Sequence, residues 1–350
     1  MNTKSISISN SEKLGLISNF ATMLNAGLSV LEIVDSLLED SKGNLRKVLE
    51  VLREDLMQGG HISSSFEKFP KVFDKITINL IKAAEEGGTL DVTLTDLKIG
   101  FKKETEFRDK IRAALTYPAF ILIVFIGVLL MILSVVVPKI ATVFLQLNVP
   151  LPLPTQILIF LSDLILKQTI FITTLGIILL ASFIFTYITQ KQMLLNIFLS
   201  FPLISNLARQ IDLTRFSRSL YLLLNAGIPI TAALEFTQEV VLKKEVSQAI
   251  LKSKEMVISG NKLSEGLKTA RNIFPSIMIK ITEAGEKSGS LDKSMLDASE
   301  YLDYQVSKTL STMTSLLEPI MLIGVGIIVG GMMLSIIAPI YGLIGQVGAR

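Results

Sequence analysis

Cysteine and tryptophan are absent from the 350 residues, and His61 is the one histidine. Without cysteine there is no disulfide framework, no thiol nucleophile and no thiolate metal site. With one imidazole, no His–His metal pair or histidine relay can be built, and His61, directly after Gly59-Gly60, is expected to be an exposed turn residue. Charge is sparse as well. Asp, Glu, Lys and Arg make up 19% of the chain and sum to +3, too little to indicate nucleic acid. No G-x-x-x-x-G-K-[ST] phosphate loop occurs. Gly285-Glu286-Lys287-Ser288 comes nearest and lacks the glycine before the lysine, so no nucleotide-hydrolysing site is expected. No catalytic constellation, cofactor site or metal site is predicted. The first ten residues are polar and lack the apolar core of a cleaved signal peptide.

What the chain has in quantity is hydrocarbon. Half of its residues are hydrophobic and its mean hydropathy is +0.55, so the apolar excess must sit in long runs. Three charge-free windows are long enough to cross a bilayer: 119–137, 169–187 and 320–337. A central charge in such a helix costs about 2.5–3.5 kcal/mol on insertion scales, which makes three charge-free windows informative. A fourth run, 157–166, is short and holds Asp163. It reads as an interfacial lead-in to the second span. The spans carry no ionisable residue, which argues against an ion or proton pathway.

The chain also repeats itself. Leu24-Asn25-Ala26-Gly27 returns as Leu224-Asn225-Ala226-Gly227, an offset of 200. Glu85, Gly88, Leu90 and Asp91 return as Glu286, Gly289, Leu291 and Asp292, an offset of 201 that continues through Pro118/Pro319 and Pro138/Pro339. Each repeat is a polar segment followed by its own apolar span. The second span has no repeat partner and brings the chain back. Lysine and arginine agree: 16 of the 34 lie in residues 1–117 and 15 in 188–316, against two in the loop 138–168 and one after the third span. The positive-inside rule then puts both polar segments, and the N-terminus, in the cytoplasm.

Spacings of three and four (Leu14, Ile17, Ala21, Leu24; Leu45, Val48, Leu49, Leu52; Leu213, Phe216, Leu220, Leu223, Leu224) predict helices throughout both polar segments. The expected fold class is all-α: two homologous cytoplasmic antiparallel helical bundles plus three transmembrane helices. The expected division is 1–112, first bundle; 113–138, first span; 139–168, outer loop; 169–188, second span; 189–316, second bundle; 317–338, third span; 339–350, outer tail. Gly27, Gly227, Gly88 and Gly289 are placed where helices stop. Ser29 to Glu32 reads as a capping box, with Pro229 at the Ser29 position of the second copy.

The candidate contact residues are the repeated motifs themselves: Asn25, Ala26, Gly27, Glu85, Glu86, Gly88 and Asp91, with Asn225, Ala226, Gly227, Glu286, Ser288, Gly289 and Asp292. The acidic turn lies at the C-terminal end of its helix, where carboxylates gain nothing from the macrodipole. It is either a solvated turn or a contact for a cation or a basic surface. Pro118 and Pro319, and Pro138 and Pro339, are expected to start or stop helices at the two ends of their spans. Gly326 and Gly330, in G-x-x-x-G spacing, offer a packing face in the third span.

These motifs, taken together over almost the whole chain, resemble the type II secretion F / type IV pilus PilC platform proteins. The carriers are the two Leu-Asn-Ala-Gly turns, the Gly-Glu-x-Ser-Gly-x-Leu turn at Gly285 to Leu291, and the Tyr117-Pro118 and Glu318-Pro319 span starts. The resemblance implies a non-enzymatic protein of the bacterial inner membrane, its C-terminus extracytoplasmic. Implied partners are a hexameric cytoplasmic assembly ATPase, pilin or pseudopilin transmembrane helices, other inner-membrane base components, the lipid bilayer and further copies of itself. Ala84 and Gly87 stand where the second copy has Gly285 and Ser288, so the two copies are expected to face different partners. A membrane-tethered scaffold or signalling adaptor is the alternative. A transporter fits less well, since only one span per copy is repeated.

Overall fold

In the computed structural model the described residues are 3–146, 156–157, 159–160, 162–164 and 202–347, and among them there is no strand. The predicted second span, 169–187, and the proline-rich stretch 150–154 lie outside them. The first copy contains α1 (Asn10–Asn25), α2 (Val30–Asp40), α3 (Gly43–Met57), α4 (Ile62–Glu67), α5 (Lys75–Gly87) and α6 (Leu90–Met131). A π-helical turn, Ile132–Val136, follows, and then α7 (Val137–Gln146). The second copy contains α8 (Pro202–Asn225), α9 (Ile230–Thr237), α10 (Lys244–Ile258), α11 (Leu263–Lys268), α12 (Ser276–Ser288) and α13 (Leu291–Val347). Helices α1 to α6 therefore recur in order as α8 to α13.

The repeated turns set these boundaries. Gly27 and Gly227 sit at φ +87° and +77°, and Gly88 and Gly289 at +68° and +71°, conformations that a Cβ disfavours. The Gly88 position ends α5 in a left-handed cap whose N–H returns to Ala84 O, and Gly289 does the same to Gly285 O. Ser29 and Glu32 form the reciprocal capping box that starts α2. Pro229 occupies the corresponding N-cap of α9 with no side-chain bond to give.

The chain divides into two compact units. The first holds residues 1–110 and 203–308, that is, both polar segments; the second holds 111–202 and 309–350. In the first unit one apolar cluster runs through both copies, from Ile6 to Leu302. Val48, Leu49 and Leu52 of α3 and Leu213, Phe216, Leu220 and Leu223 of α8 are fully buried in it. Helix α1 buries Leu16, Ile17, Phe20 and Ala21, while Leu14 and Leu24 of the expected stripe lie at its half-buried edge. Phe66 and Phe73 stack with centroids 3.7 Å apart. In the first copy α1 to α5 pack consecutively, in the second α9 to α12 do, and α5 also packs on α9 across the copies.

The second unit corrects the reading of the prolines. Pro118 lies inside α6, which runs unbroken from Leu90 to Met131; Pro319 and Pro339 lie inside α13, which continues to Val347. None of the three starts or stops a helix. A proline in a helix leaves the carbonyl four residues earlier without its donor. For Pro118 that carbonyl is Ala114 O, and the Thr314 hydroxyl approaches it to 3.5 Å. Pro138 is housed differently, just after the π turn. Val137 N–H reaches back to Ile132 O, and Pro138 has no N–H, so the Leu133 carbonyl is left without a helical donor. The hydroxyl of Ser162, itself buried, donates to it at 2.6 Å. Hydroxyl donors of this kind are how helices in apolar surroundings tolerate proline.

Candidate functional site

The acidic turn is the first candidate, and its glutamate points inward. Glu85 leaves the last turn of α5 and meets the N-terminus of α4. Its carboxylate accepts the backbone N–H groups of Ile62 at 2.6 Å and Ser63 at 3.1 Å, and the Ser63 hydroxyl. The side chain is 12% exposed. The second copy repeats the device more loosely, with both oxygens of Glu286 at 3.3 Å from Ser264 N at the start of α11. The four leading N–H groups of a helix lack intrahelical partners and carry the positive end of its dipole. The expectation that this carboxylate gains nothing considered only its own helix; it serves the neighbouring one. Glu86 and Asp91 remain exposed, whereas Asp292 is half-buried. The Ser288 hydroxyl lies 2.7 Å from that of Ser290. His61 caps no N–H and is 73% exposed. Among the described residues no three His, Asp or Glu side chains converge so as to hold a metal ion.

The departure between the copies at this turn has a steric basis. A Cβ on Gly285 would overlap the side chain of Ser294 and stand 3.1 Å from Leu291 Cα. The close approach of α13 to α12 therefore requires glycine there, while Ala84 fits, buried, in the first copy.

The second candidate is the junction of the two copies, where the Leu-Asn-Ala-Gly turns are put to different uses. Asn25 donates to Thr95 in its own copy at 3.1 Å. Asn225 instead crosses to the other copy and donates to Asp96 on α6 at 2.6 Å. Burial pushes the Asp96 carboxyl above the usual range, partly offset by that amide donor. Ala226 and Gly227 line a cavity of about 300 Å³ with Leu80, Val92, Thr93 and Leu222.

Further along α6, Glu104 is the centre of a charged cluster. Arg215 and Arg218 of α8 approach its carboxylate to 3.3 and 3.9 Å, and Arg108 to 3.6 Å. Arg218 is buried. Its Nε and Nη1 find no hydrogen-bond acceptor among the described residues, and Asp303 Oδ1, also buried, finds no donor. Burial pulls the Arg218 guanidinium down, and Glu104, Asp303 and Glu300 push it back up. Lys75–Glu239, Lys103–Glu300 and Lys110–Asp303 are further ion pairs between the copies. Beside this cluster lies a cavity of about 330 Å³ with apolar walls from Ile76, Leu97, Phe101 and Val240. Sequence reasoning missed the junction. The available signal was in the repeat alignment, where Arg215 and Arg218 stand at the positions of Gly15 and Ser18.

The third group lies in the second unit. Two of the described helices, α6 and α13, contain stretches long and apolar enough to cross a membrane. Tyr117, Pro118, Thr314 and Glu318 line a small cavity of about 140 Å³ in that unit. A Cβ on Gly326 or Gly330 would meet nothing within 4 Å, so the G-x-x-x-G face is unused among the described residues.

Comparison with known proteins gives this arrangement its context. The model of the family described as type II secretion system (T2SS), protein F, matches the chain twice, at residues 16–138 and 216–339. Each match takes in one polar segment and the apolar stretch that follows it. The chain is 31% identical to the type IV pilus assembly protein PilC of Thermus thermophilus, over 94% of this chain and 82% of that protein. It is 30% identical to PilC of Pseudomonas aeruginosa, over 94% and 88%. It is 27% identical to the type II secretion system protein F of Vibrio cholerae, over 93% and 80%. The chain, with its two copies of the domain and two helices long and apolar enough to cross a membrane, belongs to the type II secretion system protein F family.

Proposed function

We propose that this protein is the inner-membrane platform of a type IV pilus or type II secretion machine, and that it couples a cytoplasmic assembly ATPase to the polymerisation of pilin-like subunits. The observation that carries this reading is that α6 and α13 each begin in the polar unit and continue without a break into an apolar stretch long enough to span a bilayer. An α-helix rises about 1.5 Å per residue, so each is one continuous piece of backbone between the two settings. Each polar segment is thus joined to its apolar stretch within one helix. The relatives' names supply the processes, pilus assembly and type II secretion.

In this reading the chain crosses the membrane three times, with 169–188 as the return span. Residues 1–112 and 189–316 form two related helical domains on the cytoplasmic face, the loop 139–168 and the end of the chain lie outside, and the apolar helices meet pilin transmembrane segments. The protein is not the motor: it has no phosphate loop, so the energy comes from a partner. The exposed acids of the turn, Glu86 and Asp91, are available to such a partner, whereas Glu85 is engaged within the fold.

Photo-crosslinking in cells tests the reading. The repeat-equivalent positions Met57 and Ile258 are 62% and 63% exposed and suit the crosslinker. Capture of the secretion or pilus ATPase from one or both positions, with partners identified by mass, supports the proposal. Capture of neither the ATPase nor another cytoplasmic base component from either position refutes it.

A further inference from the structure

The two copies do not meet through a twofold-symmetric contact. In the second copy the contact face is built by Arg215, Arg218, Leu222 and Asn225 of α8, with Glu239 just after α9. In the first copy it is built by Lys75 and Ile76 of α5 and by Asp96, Gly100 and Glu104 of α6. These are different faces of the same repeated fold. A twofold contact would also pair Thr22 with Tyr301, Asn25 with Asp297 and Glu39 with Ser276. Instead Asn25 bonds Thr95 and Thr22 bonds Lys98, both within the first copy. Asp297 and Tyr301 are exposed. The packing is head to tail, and a head-to-tail contact leaves one face of each kind unused.

Both unused faces are visible. Position 76 in the first copy is covered, and Ile76 is 6% exposed; its equivalent Ile277 is 39% exposed. A Cβ on Gly100 would touch Leu222 at 3.3 Å, whereas its equivalent Tyr301 is 37% exposed and Tyr304, one turn on, 64%. On the other side, Arg215, Ser219 and Val240 line the cavity at the junction, while their equivalents Gly15, Asn19 and Asp40 line an open groove of about 520 Å³. Charge favours a match between the two. The exposed acids Glu32, Glu39 and Asp40 lie on α2, and the exposed bases Lys280 and Lys287 lie on α12, Lys287 also reaching Glu283 of its own helix at 2.9 Å. The internal pair Lys75–Glu239 has the same sense, a base on α5 and an acid beyond α9.

We propose that a second copy of this chain docks the α1–α2 face of its first repeat onto the α12–α13 face, Ile277, Tyr301 and Tyr304, of this chain's second repeat. The contact made within one molecule is thereby repeated between molecules. This inference rests on the repeat geometry and not on the platform reading.

The natural absence of cysteine makes the test clean. Full-length chains carrying Thr22→Cys or Tyr301→Cys, with different tags, are co-expressed, oxidised in membranes and separated without reductant. The expected result is a disulfide-linked dimer containing both tags, with several-fold less product from either variant alone. Tyr301→Cys linking to itself as well as to Thr22→Cys would overturn the proposal, because it signals a twofold contact; so would the absence of linked product in every combination. In the same assay Lys280→Glu with Lys287→Glu should lower the mixed product several-fold, and adding Glu39→Lys on the other chain should restore part of it. An unchanged yield counts against the match of faces.

Discussion

Replacing Glu104 with alanine is expected to destabilise the polar unit by about 2–3 kcal/mol, below the 3–5 kcal/mol typical of breaking a fully buried ion pair. The discount follows from its 28% side-chain exposure. The loss is large for a single substitution because of what is left behind. Arg215 and Arg218 would keep their positions on α8 with their nearest carboxylate gone, and Arg218 already has two buried nitrogens without an acceptor. A buried guanidinium that loses its main charge partner and keeps only Asp303 and Glu300 costs more than the pair contributes. The informative comparison is the double variant Glu104→Ala with Arg218→Met. Removing both partners should recover about 1–2 kcal/mol of the sum of the single losses, as expected for residues in one network. Thermal unfolding of the detergent-solubilised chain reads the effect, with about 2–4 °C per kcal/mol for a unit of this size. Strict additivity of the two substitutions would show that the pair does not link the copies.

Glu85→Ala should cost about 2–3 kcal/mol, and Glu286→Ala about 1–2 kcal/mol. Both remove a carboxylate from the N-terminus of a six-residue helix that has no other side-chain cap. The difference follows from geometry. Glu85 receives two backbone N–H groups, at 2.6 and 3.1 Å, and a hydroxyl, while Glu286 reaches one N–H at 3.3 Å. Glutamine at either position should restore part of the loss, because it can still accept. Equal effects at the two positions, or none, would mean that the carboxylates do not hold α4 and α11. The same measurement separates this role from partner binding: Glu86→Ala should leave stability within about 0.5 kcal/mol, as for an ordinary surface site.

Much of the architecture was legible in the sequence, because the signals were local or periodic. Glycine at a helix stop, serine and glutamate three apart, and apolar residues every third or fourth position each report on a few neighbouring residues. The turns at Gly27, Gly88, Gly227 and Gly289 and the capping box at Ser29 could therefore be placed before any coordinates. The prolines could not. Pro118 continues its helix with Thr314, about two hundred residues away, approaching the carbonyl it frees, and the housing of Pro138 depends on Ser162 and a π turn. Long-range donors leave no mark in local sequence. The same holds for Glu85, whose role is set by a helix that comes before its own. The junction of the copies was the least legible part. A repeat states that two units are alike; it does not state which faces they turn to one another. Only the differences between the copies, Arg215 and Arg218 against Gly15 and Ser18, or Leu222 against Thr22, carried that information.

The proposed topology puts both polar copies on one side of the membrane, each feeding its own span. Single cysteines at Met57, Ile258 and Val149, in a chain that has none of its own, test it with a membrane-impermeant maleimide on spheroplasts. The account predicts that Met57→Cys and Ile258→Cys stay unlabelled until the membrane is permeabilised, while Val149→Cys labels at once. Labelling of either Met57→Cys or Ile258→Cys on intact spheroplasts would contradict it.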